Sequence, residues 1–252
     1  DQFTPNLPEI QDSIVVFLKY INTEDETIKL KKNNNVILLD VIDCIGNCEY
    51  SIEQMCSLSY DGLILPTNEL ARRAKILNPQ LQVAAIQHHW DSKHLFNIEH
   101  YKTTKEYKFR LAYIGSHDGH FYKDKIPELT PVTDWAEQTA TSPLYTCHFS
   151  VRPAGHAQFL YKPNSKFSTA AAAGSNIISS RDLSLETLIP KEYPYFTDSD
   201  LPSVLKTVEY AKETFGSEIW NTGLEMMREV KEKTSIETIA GIDYVEYFKR
   251  FS

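Results

Sequence analysis

Short apolar, β-branched runs alternate with more polar stretches along the first part of the chain. Residues 13–20 (SIVVFLKY), 36–43 (VILLDVID), 62–66 (GLILP) and 82–87 (QVAAIQ) have the near-continuous apolar character of strands covered on both faces. Between them, 23–32 is polar and helix-compatible, and 51–58 opens on a Ser-x-x-Gln capping box at Ser51 and Gln54. The stretch 68–77 is headed by Thr67 and stops at Asn78-Pro79. This β-α-β-α-β-α-β order predicts a parallel, doubly wound sheet. Its crossovers are right-handed, and its ligands gather at the carboxyl ends of the strands.

Residues 92–108 are polar and charged and read as a connection, after which the pattern restarts. Residues 109–114 (FRLAYI) predict a strand that ends in Gly115-Ser116-His117-Asp118-Gly119. A short helix over 134–139, a strand over 144–151, a helix over 166–173 and strands over 175–180 and 195–196 follow. Helices over 201–214, 218–233 and 235–251 close the chain. The expected fold is α/β with two Rossmann-like halves: a short N-terminal half over 1–107 and a C-terminal half over 108–252 with a helical C-terminus.

Composition narrows the function classes. The chain has 252 residues, of which 42% are hydrophobic, enough for a sizeable core. Its net charge of -8 argues against a general nucleic-acid binder. No apolar run approaches the ~18–20 residues that span a bilayer, and no secretory pattern opens the sequence. The first residue is Asp1 rather than Met, so a processed form or part of a longer multidomain chain is expected. Cys44, Cys48, Cys56 and Cys147 read as reduced thiols, in keeping with a cytoplasmic setting. No Gly-x-Gly-x-x-Gly, Gly-x4-Gly-Lys-Ser/Thr or Gly-x-Ser-x-Gly motif is present, which disfavours a nicotinamide dehydrogenase, a P-loop nucleotidase and an α/β-hydrolase. The histidines group as His88-His89 and His117-x-x-His120, without the helical spacing of a zinc site, so no metal is expected.

The stretch from Val151 to Asp182 is the most informative. It reads as loop, helix, tight turn and strand, and its helix is built of small residues, Ala170 to Ala173, followed by Gly174. Such a helix lets another backbone or a ligand approach closely. Lys162, Pro163, Asn164, Ser165 and Lys166 lie at its start, where unpaired N–H groups and the dipole favour an anion. With Arg152 nearby, this is a candidate diphosphate site; the alternative is a buried helix with ordinary flanking charges. Asp40 and Asp43 also lie at a strand end, where they could contact a substrate or serve a turn.

Lys162-Pro163-Asn164-Ser165-Lys166, followed by Ser168-Thr169 and the alanine run to Gly174, resembles the donor-binding element of GT-B glycosyltransferases. Tyr113-Ile114-Gly115-Ser116 resembles the first strand and Gly loop of their C-terminal domain, and Leu65-Pro66-Thr67-Asn68-Glu69-Leu70 a strand and helix before the domain crossing. The resemblance implies metal-independent transfer of a hexosyl or related group from a nucleotide diphosphate sugar to a glycan or other hydroxyl acceptor, as in polysaccharide biosynthesis, with no cofactor. It implies donor contacts at Gly115, Ser116, His117, Arg152, Lys162, Pro163, Asn164, Ser165, Lys166 and Thr169. His88, His89 and Asp91 would line the acceptor side and supply a general base. Many retaining members carry a Glu-x7-Glu pair in this element; the equivalent positions here are Tyr161 and Thr169, so those contacts do not carry over. The alternatives are a non-catalytic sugar-nucleotide-binding module of a polysaccharide-assembly protein and a sugar-nucleotide epimerase.

Overall fold

The computed structural model describes residues 9–18, 23–42, 51–90, 107–117, 121–153, 165–185 and 187–251. The chain divides into two compact units. One comprises the described residues up to Gln87 together with those from Ile239 onward, and the other comprises the described residues between His88 and Thr238.

The first unit holds a parallel sheet of β1 (Ile14–Leu18), β2 (Val36–Asp40), β3 (Gly62–Leu65) and β4 (Gln82–Ala85), in that spatial order. Helices α1 (Glu24–Lys32), α2 (Ile52–Ser57) and α3 (Asn68–Leu77) form the crossovers. Their starts follow from the capping residues read in the sequence. Thr23 and Glu26 close one reciprocal box, Ser51 and Gln54 a second, and Thr67 accepts from the Leu70 N–H. Strand parity then sorts the core. Ile37 and Leu39 face one cluster with Leu30, Met55, Leu63 and Leu70, while Leu38 faces the other with Ile64 and Ile86.

That second cluster is completed by the end of the chain. Residues 235–251 predict one helix, but the segment is broken. A π-turn at Ile239–Tyr244 leads into helix Val245–Phe248 and a 3-10 turn at Lys249–Phe251. The i→i+5 spacing of a π-turn stacks Ile239 with Tyr244, so both pack on the Leu38, Ile64 and Ile86 face. Tyr247 lies there too and donates to the Gln82 carbonyl at 2.9 Å, and Tyr244 donates to the buried Asp40 carboxylate.

The second unit is a parallel sheet in the order β6-β5-β7-β8-β9. The strands are β5 (Leu111–Ile114), β6 (Leu129–Val132), β7 (Cys147–Ser150), β8 (Asn176–Ser180) and β9 (Phe196–Thr197). Strand β6 has no counterpart in the sequence reading: it is an edge strand containing Pro131, which only an edge tolerates. The predicted strand over 144–151 is shortened to β7 by a 3-10 turn at Ser142–Leu144. Helices α5 (Ser165–Ala172), α6 (Leu201–Glu213) and α7 (Glu218–Lys233) pack on this sheet around Phe149, Phe167, Tyr195 and Trp220, and the short helix α4 (Trp135–Thr141) follows β6. Cys56 and Cys147 are buried free thiols; Cys44 and Cys48 lie outside the described residues.

Candidate functional site

The strand order of the second unit reverses at β5. Its first strand, β5, has the next strand in sequence, β6, on one side and β7 on the other. This 2-1-3-4-5 pattern puts a topological switch point between β5 and β7, where successive crossovers leave toward opposite faces and open a crevice at the carboxyl ends. The register shows the opening. β5 and β6 stay paired out to Ile114 and Val132, whereas β5 and β7 pair only at Leu111 with Cys147 and Ala112 with His148.

Three of the predicted donor residues meet at the end of β5. Lys166, in the first turn of α5, reaches across the switch point and donates to the Ile114 carbonyl at 2.6 Å. Its ammonium lies 4.4 Å from the centre of the Tyr113 ring. Gly115 has a positive φ of 153°, and a Cβ there would sit 2.0 Å from Lys166 Nζ, so glycine leaves the space that the lysine fills. Tyr113 donates to the Ser116 carbonyl at 2.8 Å, and Gln138 of α4 donates to the Gly115 carbonyl at 3.1 Å. Ser116 and His117 follow, exposed. The result is a fixed cation beside a held backbone turn at the carboxyl edge of the sheet. The motif pattern pointed to Gly115 and Lys166 but not to Tyr113 or Gln138, whose partners are contributed by the fold.

Arg152 follows β7 and is differently placed. Its guanidinium donates to Asp182 at 3.1 Å, with side-chain exposures of 11% and 2%. Asp182 is itself held by the Ser184 N–H at 3.0 Å and by the Ser184 hydroxyl. The Arg152 charge is thus compensated within the fold. Ser165 is exposed at the start of α5, and Thr169 is half-buried one turn on. Lys162, Pro163 and Asn164 lie outside the described residues, as do Asp91, Asp118, Asp43 and Tyr161.

His88 and His89 belong to the second unit. The His88 carbonyl accepts from the Ser168 hydroxyl of α5 at 3.2 Å, and the two imidazoles stack 5.5 Å apart. Trp90 is fastened to the end of α7 through its indole N–H, 2.9 Å from the Lys231 carbonyl. The histidines are therefore carried beside the helix that bears Lys166. At the opposite, amino end of this sheet, an open cavity of about 400 Å³ is lined by Phe109, Arg110, Tyr145 and Lys212 among others. Among the described residues, no group of three His, Cys, Asp or Glu is arranged to hold a metal ion, and no helix is long and apolar enough to cross a membrane.

No protein-family model and no curated protein sequence matches the chain. Solved structures do match. HepE from Anabaena in complex with UDP superposes with a TM-score of 0.66 at 8% identity, covering 94% of this chain and 79% of that one. A glycosyltransferase from Rickettsia africae gives a TM-score of 0.64 at 8% identity, over 94% and 76% of the two chains. Sucrose-phosphate synthase from Thermosynechococcus elongatus gives 0.62 at 11% identity, over 94% and 73%. At such identities the likeness is one of fold. The chain has the α/β fold of the GT-B glycosyltransferases, with two parallel sheets and a helical C-terminus.

Proposed function

We propose that this chain is a glycosyltransferase that moves a hexosyl or related group from a nucleotide diphosphate sugar to a hydroxyl of a glycan or similar acceptor. The observation that carries this reading is the Lys166 ammonium fixed at the carboxyl end of β5, at the switch point, beside the Gly115 turn. It is supported by the ligands of proteins with this fold: HepE has been solved with UDP and with UDP-glucose, and an E. coli trehalose-6-phosphate protein with UDP-2-fluoro glucose.

In the reaction, the bond from the sugar C1 to the diphosphate oxygen breaks and its electron pair leaves with the nucleoside diphosphate. The acceptor oxygen bonds to C1, and its proton passes to a base. Negative charge grows on the leaving group, which is where a fixed cation and oriented N–H groups stabilise the transition state most. Lys166 supplies the cation, with the backbone N–H groups of Ser116 and Ser165 as further donors, so the reaction needs no metal ion. Lys162, named by the sequence pattern alone, is assigned to the same diphosphate, and Arg152 shapes the β7 side. His88 or His89 takes the proton as general base. Replacing each histidine by Ala should leave donor affinity nearly intact, while transfer falls about 100-fold or more for only one of them. We place the enzyme in polysaccharide assembly in the cytoplasm.

Calorimetric titration with a panel of nucleoside diphosphates and their sugar conjugates tests the reading. Saturable binding is expected, together with slow hydrolysis of one donor that continues in EDTA. A folded sample that binds none of the panel would refute it. Thr169, standing where retaining members carry a carboxylate, favours the second reading, a non-catalytic donor-binding module. That reading predicts binding without hydrolysis or transfer, and an epimerase would return a changed donor.

A further inference from the structure

We propose that Tyr113 is the positioning residue of the donor site, one side chain that fixes both the phosphate-binding lysine and the turn opposite it. The inference rests on the donor-binding reading above. Strand parity places the ring: Leu111 and Tyr113 face the large cluster that includes Phe167, Ala170 and Ala171 of α5, whereas Ala112 and Ile114 face the other side. The Tyr113 ring therefore lies on the face that α5 covers, and it is 1% exposed. Two of its contacts bear on the site. The ring face lies under the Lys166 ammonium at 4.4 Å, a cation–π contact. The hydroxyl continues past the end of β5 and donates to the Ser116 carbonyl at 2.8 Å.

Gly115 makes the pairing possible, because a Cβ there would lie 2.0 Å from Lys166 Nζ and 3.1 Å from the Tyr113 hydroxyl. A lysine on a flexible stem normally loses rotamer freedom when it binds an anion. Tyr113 and the Ile114 carbonyl impose that order in advance, so affinity depends on a residue that touches no ligand.

The test is a mutant cycle read by calorimetry with the tightest-binding nucleoside diphosphate. Tyr113→Phe keeps the ring and releases Ser116, so affinity should fall about 3- to 10-fold. Tyr113→Leu also frees the lysine and should cost about 10- to 100-fold, as should Lys166→Ala. The double variant Tyr113→Leu/Lys166→Ala should fall well short of the product of the two single losses. Losses that multiply, or a Tyr113→Phe variant that titrates like wild type, overturn the proposal. If Tyr113→Leu fails to fold, the Phe variant still decides. A second readout needs no ligand: acetylation of Lys166, followed by mass spectrometry, should be slow in wild type and in Tyr113→Phe and should rise toward that of exposed Lys206 in Tyr113→Leu. Equal rates in all three overturn the clamp. Wild-type protein that binds no nucleoside diphosphate refutes the functional reading instead, and the labelling still decides whether Tyr113 holds Lys166.

Discussion

Gly115 and Arg152 show how differently two residues at strand ends can serve one crevice. Gly115 gives up its side-chain volume to Lys166, so Gly115→Ala should displace the lysine while leaving the buried core untouched. Nucleoside diphosphate affinity is expected to fall about 10- to 100-fold, as for Lys166→Ala, with a melting temperature close to wild type. Arg152 is the reverse case. Removing it takes the guanidinium from the buried Asp182 carboxylate, which keeps its hydrogen bonds from Ser184, so Arg152→Ala should cost about 3 kcal/mol of stability in a denaturant melt. An Arg152→Ala variant as stable as wild type would show that the pair carries no such weight. Gly115 and Lys166 were legible in the sequence because each sits at a boundary that pattern marks, a strand end and a helix start. Tyr113, Gln138 and Asp182 were not. Their partners are Lys166, the Gly115 carbonyl and Arg152, and only the paired strands and the α5 crossover bring these together.

Among the elements, the strands that flank capped helices could be read directly, since Thr23, Ser51 and Thr67 mark where each helix begins. Strand β6 could not, because Pro131 and the exposed Thr130 give it no apolar run, and its edge position follows only from the sheet order. The C-terminal segment was legible as helical but not as broken, since its phase is set by the sheet it covers. Gly62 and Tyr247 lock that segment in place. A Cβ on Gly62 would lie 2.1 Å from the Tyr247 hydroxyl and 2.8 Å from the Gln82 carbonyl. Gly62→Ala should therefore destabilise the first unit by about 1–3 kcal/mol, the usual cost of overpacking. Amide exchange is expected to rise across residues 239–251 before it rises in β2 or β3. Unchanged exchange there would mean that Tyr247 shifts without loosening the segment.

At the scale of the whole molecule, buried phenols set an alkaline limit on stability. Burial pushes Tyr195 up to about 12, and it pushes Tyr193, Tyr244 and Tyr247 upward as well, with Asp40 adding to the rise at Tyr244. A phenol whose folded pKa is raised favours the folded state fully below the ordinary tyrosine value near 10. That contribution is lost as pH climbs from there through about 12, because the unfolded chain releases the proton first. Thermal melts should hold steady up to about pH 9 and then fall steeply, with delayed phenolate absorbance in the native protein; a melting temperature flat to pH 12 would contradict this. The proposed role of the fixed cation at the β5 switch point is to hold the diphosphate of a sugar donor. A crystal soaked with a nucleoside diphosphate tests it most directly. Phosphate oxygens are expected within hydrogen-bond distance of Lys166 Nζ and of the Ser116 backbone N–H. A nucleotide ordered instead at the amino end of the same sheet, in the cavity lined by Arg110 and Lys212, would contradict it.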